Sequence, residues 1–339
     1  MSTTQLDILD PSTWPSRRSE AWKWSDLSRM TRDAPSRSAP VAVAQGGPFR
    51  ALGGEEMTFG NGHTPGTGHF QARGQQTLRL RFVSNTVGTG HGAHASITLE
   101  PGADLLLLES HEGLGTTYFA HNRVSIEVPV GAKLTRIVLA EDGEGATAIS
   151  EAKVSVAPGG TCHQIVLMTG ARLQRAETHL AHSGDGAEVR MDGVYVLKGS
   201  RHADMTSVVR HSGLDGVTSQ LTKGVVHDQA RGVFQGKIVV ERGADGTDAR
   251  MGHHALILGE RAEVNAKPEL EIYADDVSCA HGNTVGALDE SALFYLQSRG
   301  LPRDEAQALL TEAFLMEVVE RIEHEQAREV VRQWLTDRL

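Results

Sequence analysis

The sequence predicts a mainly β protein wound as a parallel β-helix of about seven coils, with a short helical segment before it and a helical subdomain after it. Three observations predict this. Turn signals recur at a nearly constant interval, short alternating strands lie between them, and 37 glycines stand against only 8 Phe, 4 Trp and 4 Tyr. Such a composition favours many turns joining short strands over an aromatic-cored globule.

The interval is set by Glu100-Pro101-Gly102, Val128-Pro129-Val130-Gly131 and Ala157-Pro158-Gly159-Gly160, whose glycines Gly102, Gly131 and Gly160 are 29 residues apart. Asp185-Gly186, Asp215-Gly216 and Asp245-Gly246 continue the series at intervals of 30, and Asp275 stands one interval further on. A period of this size marks stacked supersecondary units that bury a shared core. The intervening segments Val194–Leu197, Lys237–Val240 and Ala255–Leu258 read as strands. An evenly turned β-sandwich is the competing fold, but its turn signals fall every ~8 to 12 residues.

The flanks differ in kind. Residues 1–76 form an N-terminal segment, in which Pro15 starts a short helix over Trp14–Trp24 and Thr31–Gln76 reads as irregular linker rich in Pro, Gly and Ser. Residues 77–286 form the β-helix, and 287–339 a helical subdomain. There Asp289 caps a first helix running to Ser298, Gly300 ends it, and Pro302 begins a longer second one. That second helix is apolar nearly all round, with Ala313–Met316 and Val318-Val319 about Glu317. It reads either as a cap on the end of the solenoid or as a docking element, with Arg321 one turn on and able to pair with Glu317.

A formal net charge of −10 with mixed signs argues against nucleic acid or an anionic membrane as partner. Met1–Arg18 has no apolar secretion segment, and the longest aliphatic run, Leu105–Leu108, is too short to cross a bilayer. A soluble, cytoplasmic chain is expected. Cys162 and Cys279 are 117 residues apart, so they offer neither a disulfide framework nor a CxxC pair. No G-x-S-x-G and no P-loop occurs, which argues against ATP hydrolysis by this chain.

The chemistry concentrates in Asp275–Gly286, in the last coil. Cys279 and His281 are two apart, so on a strand both leave the same face, and a thiolate beside an imidazole suits iron or zinc. The bland alternative is a buried cysteine and a histidine bonded to backbone. Iron–sulfur clusters need four cysteines or a mixed cysteine and histidine set, so a second subunit would have to complete the shell. His253 and His254 face opposite ways and so do Cys162 and His163, while His179 and His182, read as three apart around a turn, lack a third ligand.

These segments resemble the SufB/SufD family of iron–sulfur cluster assembly scaffolds. The resemblance is closest over residues 200–322 and rests on Gly232–Ile238, Lys267–Ile272, Asp275–Gly282 and Phe294–Gly300, with Arg17–Trp24 similar to the family's leading segment. The compact length, scarce cysteine and Cys-x-His-Gly-Asn-Thr-Val-Gly pattern are most similar to the SufD branch. The resemblance implies a right-handed β-helix, assembly with a SufB-like scaffold and a SufC-like ATPase, and transient iron or a nascent cluster at the scaffold boundary, without a tightly bound cofactor in the isolated chain. It implies that His281, with Cys279 beside it, serves that boundary. It also implies that the C-terminal helices, with Phe294, Tyr295, Phe314, Glu317 and Arg321, receive the ATPase. A non-catalytic scaffold is the expected function, with a homodimer of the isolated chain as a further form. Gly252-His253-His254 departs from the polar amide and basic residues more usual there and inherits no role.

The alternative function is a carbohydrate-active β-helix enzyme, a lyase or hydrolase. It needs clustered carboxylates with arginine or calcium on one strand face, aromatic stacking surfaces and secretion.

Overall fold

The recurring turn residues carry the backbone that tight turns demand. Gly102, Gly131, Gly186 and Gly246 have φ of 75°, 67°, 75° and 74°, and Asp185 and Asp215 have 50° and 52°. Glycine adopts this left-handed region freely and aspartate tolerates it. At the third proline turn Gly159, with φ of 65°, takes that role in place of Gly160.

In the computed structural model, which describes residues 6–30 and 33–339, these turns link eighteen strands. In chain order they begin with β1 (Ser36–Arg37), β2 (Glu55–Gly60), β3 (His69–Ala72), β4 (Gln75–Ser84), β5 (Val87–Leu99) and β6 (Asp104–Gly113). Next come β7 (Thr117–Val128), β8 (Lys133–Glu141), β9 (Thr147–Val156), β10 (Thr161–Met168), β11 (Leu173–His182) and β12 (Glu188–Leu197). The stack ends with β13 (His202–His211), β14 (Val217–Val226), β15 (Arg231–Val240), β16 (Asp248–Ile257), β17 (Glu263–Ile272) and β18 (Ser278–Gly286).

Even-numbered strands form one parallel sheet, from β2 to β18, and odd-numbered strands form the other, from β1 and β3 to β17. The result is a parallel β-solenoid of about eight turns. The solenoid starts earlier than the turn signals do: β2 already pairs with β4, within the stretch read as linker. Its first turn runs through Arg73-Gly74, where Gly74 has φ of 59° but neither proline nor aspartate marks the position. The Asp104 amide donates to the Gly74 carbonyl at 2.8 Å, which stacks this turn in step with the next.

Side-chain alternation builds the interior. Leu105, Leu107, Leu134, Val189 and Ala249 point into one continuous core. Leu106, Leu108, Ile137, Leu139, Val194 and Val196 point outward from the even-numbered sheet and are buried as well. A sheet covered on both faces needs such unbroken aliphatic runs, which is why Leu105–Leu108 does not alternate with polar residues.

The N-terminal helix expected after Pro15 is replaced by 3-10 turns at Pro11–Thr13 and Glu20–Trp22, followed by α1 (Leu27–Met30). Tertiary docking outweighs the weak local helix signal. Trp14 packs 5.5 Å from the Phe119 ring, and Trp22 lies 4.2 Å from the Arg175 guanidinium on the outer face of the odd-numbered sheet. Residues 1–5, within the stretch read for a secretion signal, and 31–32, at the start of the linker, lie outside the described residues.

After the solenoid come α2 (Glu290–Ser298), α3 (Arg303–Val319) and α4 (Glu325–Thr336). The Asp289 carboxylate accepts from the Ser291 and Ala292 amides, Gly300 takes φ of 97°, and Pro302 precedes α3. Leu315, Val318, Val319, Ile322, Val331, Trp334 and Leu335 lie on the outer aliphatic face of the even-numbered sheet. The second helix therefore covers the flank of the solenoid and leaves its end uncapped, because that flank carries the apolar stripe that must be buried. No helix among the described residues is long and apolar enough to cross a membrane.

Candidate functional site

The last turn is open. β17 and β18 each pair with a strand on one side only. Ile272, Tyr273 and Val285 are exposed there, and so is nearly all of β18. Two unpaired parallel edges ending side by side present backbone donors and acceptors that another chain can meet.

Cys279 and His281 lie on this rung. They pair in register with Ala249 and Met251 of β16, both of which point into the core. The two side chains therefore share the inward-facing side of β18, as their spacing predicts. Among the described residues β18 pairs with β16 alone, and Cys279 is half-buried against the core while His281 is exposed. Burial, with Asp248 nearby, pushes the Cys279 thiol above its ordinary value, so deprotonating it requires a cation or metal to compensate. Among the described residues no three His, Cys, Asp or Glu gather into a group that could hold a metal. Cys279 and His281 thus stand as two donors on an open edge, without a third beside them among the described residues.

His253, one rung back, points inward and is fully buried, while His254 points out. The His253 Nε2 lies 2.9 Å from the Tyr195 hydroxyl and its Nδ1 2.7 Å from Asn283 Oδ1. Burial pushes this imidazole down to about 4, so it is neutral at physiological pH. Outside, His254 Nδ1 lies 2.7 Å from Thr284 Oγ1.

The residues expected to dock a partner divide into two sets. Phe294 and Tyr295 on α2 are 73% and 56% exposed. Phe314, Glu317 and Arg321 instead meet the solenoid. Lys223 lies 4.2 Å from the Phe314 ring centre and 2.5 Å from Glu317 Oε2. Arg321 reaches Asp192 at 3.0 Å and Ser219 at 2.8 Å. The expected Glu317–Arg321 pair is thus replaced by two contacts to the sheet, since each side chain finds a partner of opposite charge or a hydroxyl on the strands below.

Two of the other histidine readings are settled by strand geometry. His179 and His182 lie on β11 and not around a turn; three apart on a strand they face opposite ways. His179 Nε2 meets Glu177 at 2.6 Å outside, and His182 stacks 4.5 Å from His211 inside. Cys162 is buried in the core, its thiol pushed up to about 12 by burial, and His163 faces out.

Sequence reading missed the buried ionic clusters. Inside the solenoid Glu109 is fully buried, 2.8 Å from Arg136 and 2.8 Å from His111, and Arg136 donates to Gln164 at 2.6 Å. Burial alone would raise the Glu109 carboxyl, but Arg136 and His111 hold it down to about 2. On the opposite sheet's outer face Arg175 bridges Asp204 at 2.5 Å and Glu177 at 2.8 Å beneath Trp22, and Ser25 donates to Asp204. The available signal was charge inside otherwise aliphatic strand runs, such as Glu109 directly after Leu108.

The fold is an open-ended parallel β-solenoid with a thiol and an imidazole on its terminal rung. Residues 82–314 match the family model for the SufBD core domain of the SUF system for iron–sulfur cluster assembly, and the chain belongs to that family. It is most similar to SufD-type members. It is 32% identical over 254 residues to the iron–sulfur cluster assembly protein SufD of Escherichia coli (strain K12), covering 75% of this chain and 60% of that protein. Against SufD of Bacillus subtilis (strain 168) the identity is 35% over 139 residues, covering 41% of this chain and 32% of that one. A SufBD family protein of Mycobacterium tuberculosis (strain H37Rv) aligns at 25% identity over 95% of this chain and 88% of its own length. The chain spans somewhat over half the length of several of the curated relatives it matches.

Proposed function

We propose that this chain is a non-catalytic scaffold subunit of iron–sulfur cluster assembly. The observation that carries the reading is the uncovered last rung, which offers Cys279 and His281 on one face beside two unpaired strand edges. A SufB-like scaffold docked against those edges supplies the remaining ligands, and iron and sulfide, the substrates, meet at the boundary. His281 holds iron as a neutral imidazole, and Cys279 becomes a competent ligand once a metal offsets its burial. The exposed Phe294 and Tyr295 on α2 form the face for a SufC-like ATPase, whose nucleotide-driven movement reaches the solenoid through α3. Membership in the SufBD core family and the SufD-type relatives support this reading. The carbohydrate-active alternative has no comparable support.

The test is His281→Ala in the complex reconstituted with a SufB-like scaffold and a SufC-like ATPase. The variant is expected to keep its circular dichroism spectrum and to assemble no cluster. Cluster formation at the normal rate would overturn the site assignment.

A further inference from the structure

β18 is held by backbone bonding on one side alone, and the chain beyond it offers no strand to trap it. An edge of this kind opens locally at little cost unless a side chain ties it down. Of the inward-facing positions on β18, Val285 and His281 are exposed and Cys279 is half-buried, so none of these is a firm anchor. Asn283 is different: its Oδ1 is bonded to a fully buried ring one rung back.

That ring sits in a built slot. The Phe234 ring stacks on His253 with centres 4.5 Å apart and planes within 5°. A Cβ at Gly224 or Gly232 would overlap the Tyr195 ring, and one at Gly236 would press on Phe234, so glycine at these three positions makes room for both aromatics. Hydrogen-bond chemistry assigns the tautomer. Asn283 Oδ1 can only accept, so His253 Nδ1 carries the proton; Nε2 then accepts from the Tyr195 hydroxyl, which donates. The chain Tyr195–His253–Asn283 thus ties β18 by a side-chain bond to a fully buried ring on β16.

We propose that His253 is a positioning residue for the open rung: bonded to Tyr195 on one side and Asn283 on the other, it pins β18 so that Cys279 and His281 are presented in a fixed register. The consequence for cluster assembly rests on the function proposed above; the pinning of the strand does not.

The experiment uses the full chain and three variants. H253F keeps the stacked ring and removes both hydrogen bonds, H253Q retains a donor and an acceptor, and H281A leaves the pin intact. Native-state alkylation by iodoacetamide reads Cys279 alone, because Cys162 is buried. H253F is expected to raise that rate about tenfold and to lose amide-exchange protection over 278–286 only. H253Q should recover much of both, and H281A should match the parent chain in both. In the reconstituted complex H253F should slow cluster formation and H253Q should restore it. Parent-like alkylation and protection in H253F, or no rescue by H253Q, would overturn the pin; altered alkylation with undiminished assembly would overturn its positioning role. Should H253F fail to fold, Asn283→Ala removes the same bond from the exposed side and is read the same way. Normal assembly by H281A would count against the function alone, since the alkylation and exchange results stand without it.

Discussion

Arg321, in the turn after α3, places its Nε 3.0 Å from Oδ2 of Asp192, a residue of β12 that is almost wholly enclosed. The contact joins the helical subdomain to the flank of the solenoid. Burial outweighs the guanidinium and pushes the Asp192 carboxyl up to about 7.

A pH dependence follows from that shift. Between the ordinary carboxylate value near ~4 and about 7, the folded chain holds a proton that the unfolded chain has released, so stability falls as pH rises through this window. The slope from this one group is at most ~1.4 kcal/mol per pH unit. Asp192→Asn should remove it, which urea titrations of both proteins at several pH values between 4 and 8 would measure. Identical pH dependence in the two proteins would refute the assignment.

The Glu109–Arg136 pair lies inside the solenoid with both side chains almost fully enclosed. Arg136→Met should leave the buried Glu109 carboxylate with only the His111 ring beside it and cost roughly 3 kcal/mol. A second change, Glu109→Leu, should recover part of that loss, because an apolar pair of similar volume no longer strands a charge. Denaturant midpoints of the single and double variants decide it; a single variant as stable as the parent would mean the pair is solvated.

Exposed and buried side chains separate on the C-terminal helices. Phe294→Ala and Tyr295→Ala act on side chains facing solvent, and each should change stability by no more than about 0.5 kcal/mol. Each should nonetheless weaken co-purification with a SufC-like ATPase. Leu315→Ala, on the buried face of α3, should cost ~2–5 kcal/mol. Retention of the ATPase by the Phe294 and Tyr295 double variant would move the docking face elsewhere.

The fold was legible because its turns carry a chemical mark. Asp-Gly and Pro-Gly recur where the backbone must go left-handed. The first coils were not legible because Gly74 makes the same turn without that mark. The same-face placement of Cys279 and His281 was legible from their spacing alone, since alternation on a strand is a property of the backbone. The contacts of Glu317 and Arg321 were not. A helix surface offers both residues a neighbour one turn away, and only the sheet beneath it brings Lys223 and Asp192 closer in charge and geometry.

The amino-acid order by itself determined the parallel winding, its period and the pairing of one thiol with one imidazole, all consequences of local turn chemistry and two-residue alternation. Tertiary structure alone decided that the helices cover the flank, that the last rung remains open, and that His253 is locked between Tyr195 and Asn283. Those outcomes depend on which surfaces meet across 30 to 131 residues of chain, and no local pattern encodes such a meeting.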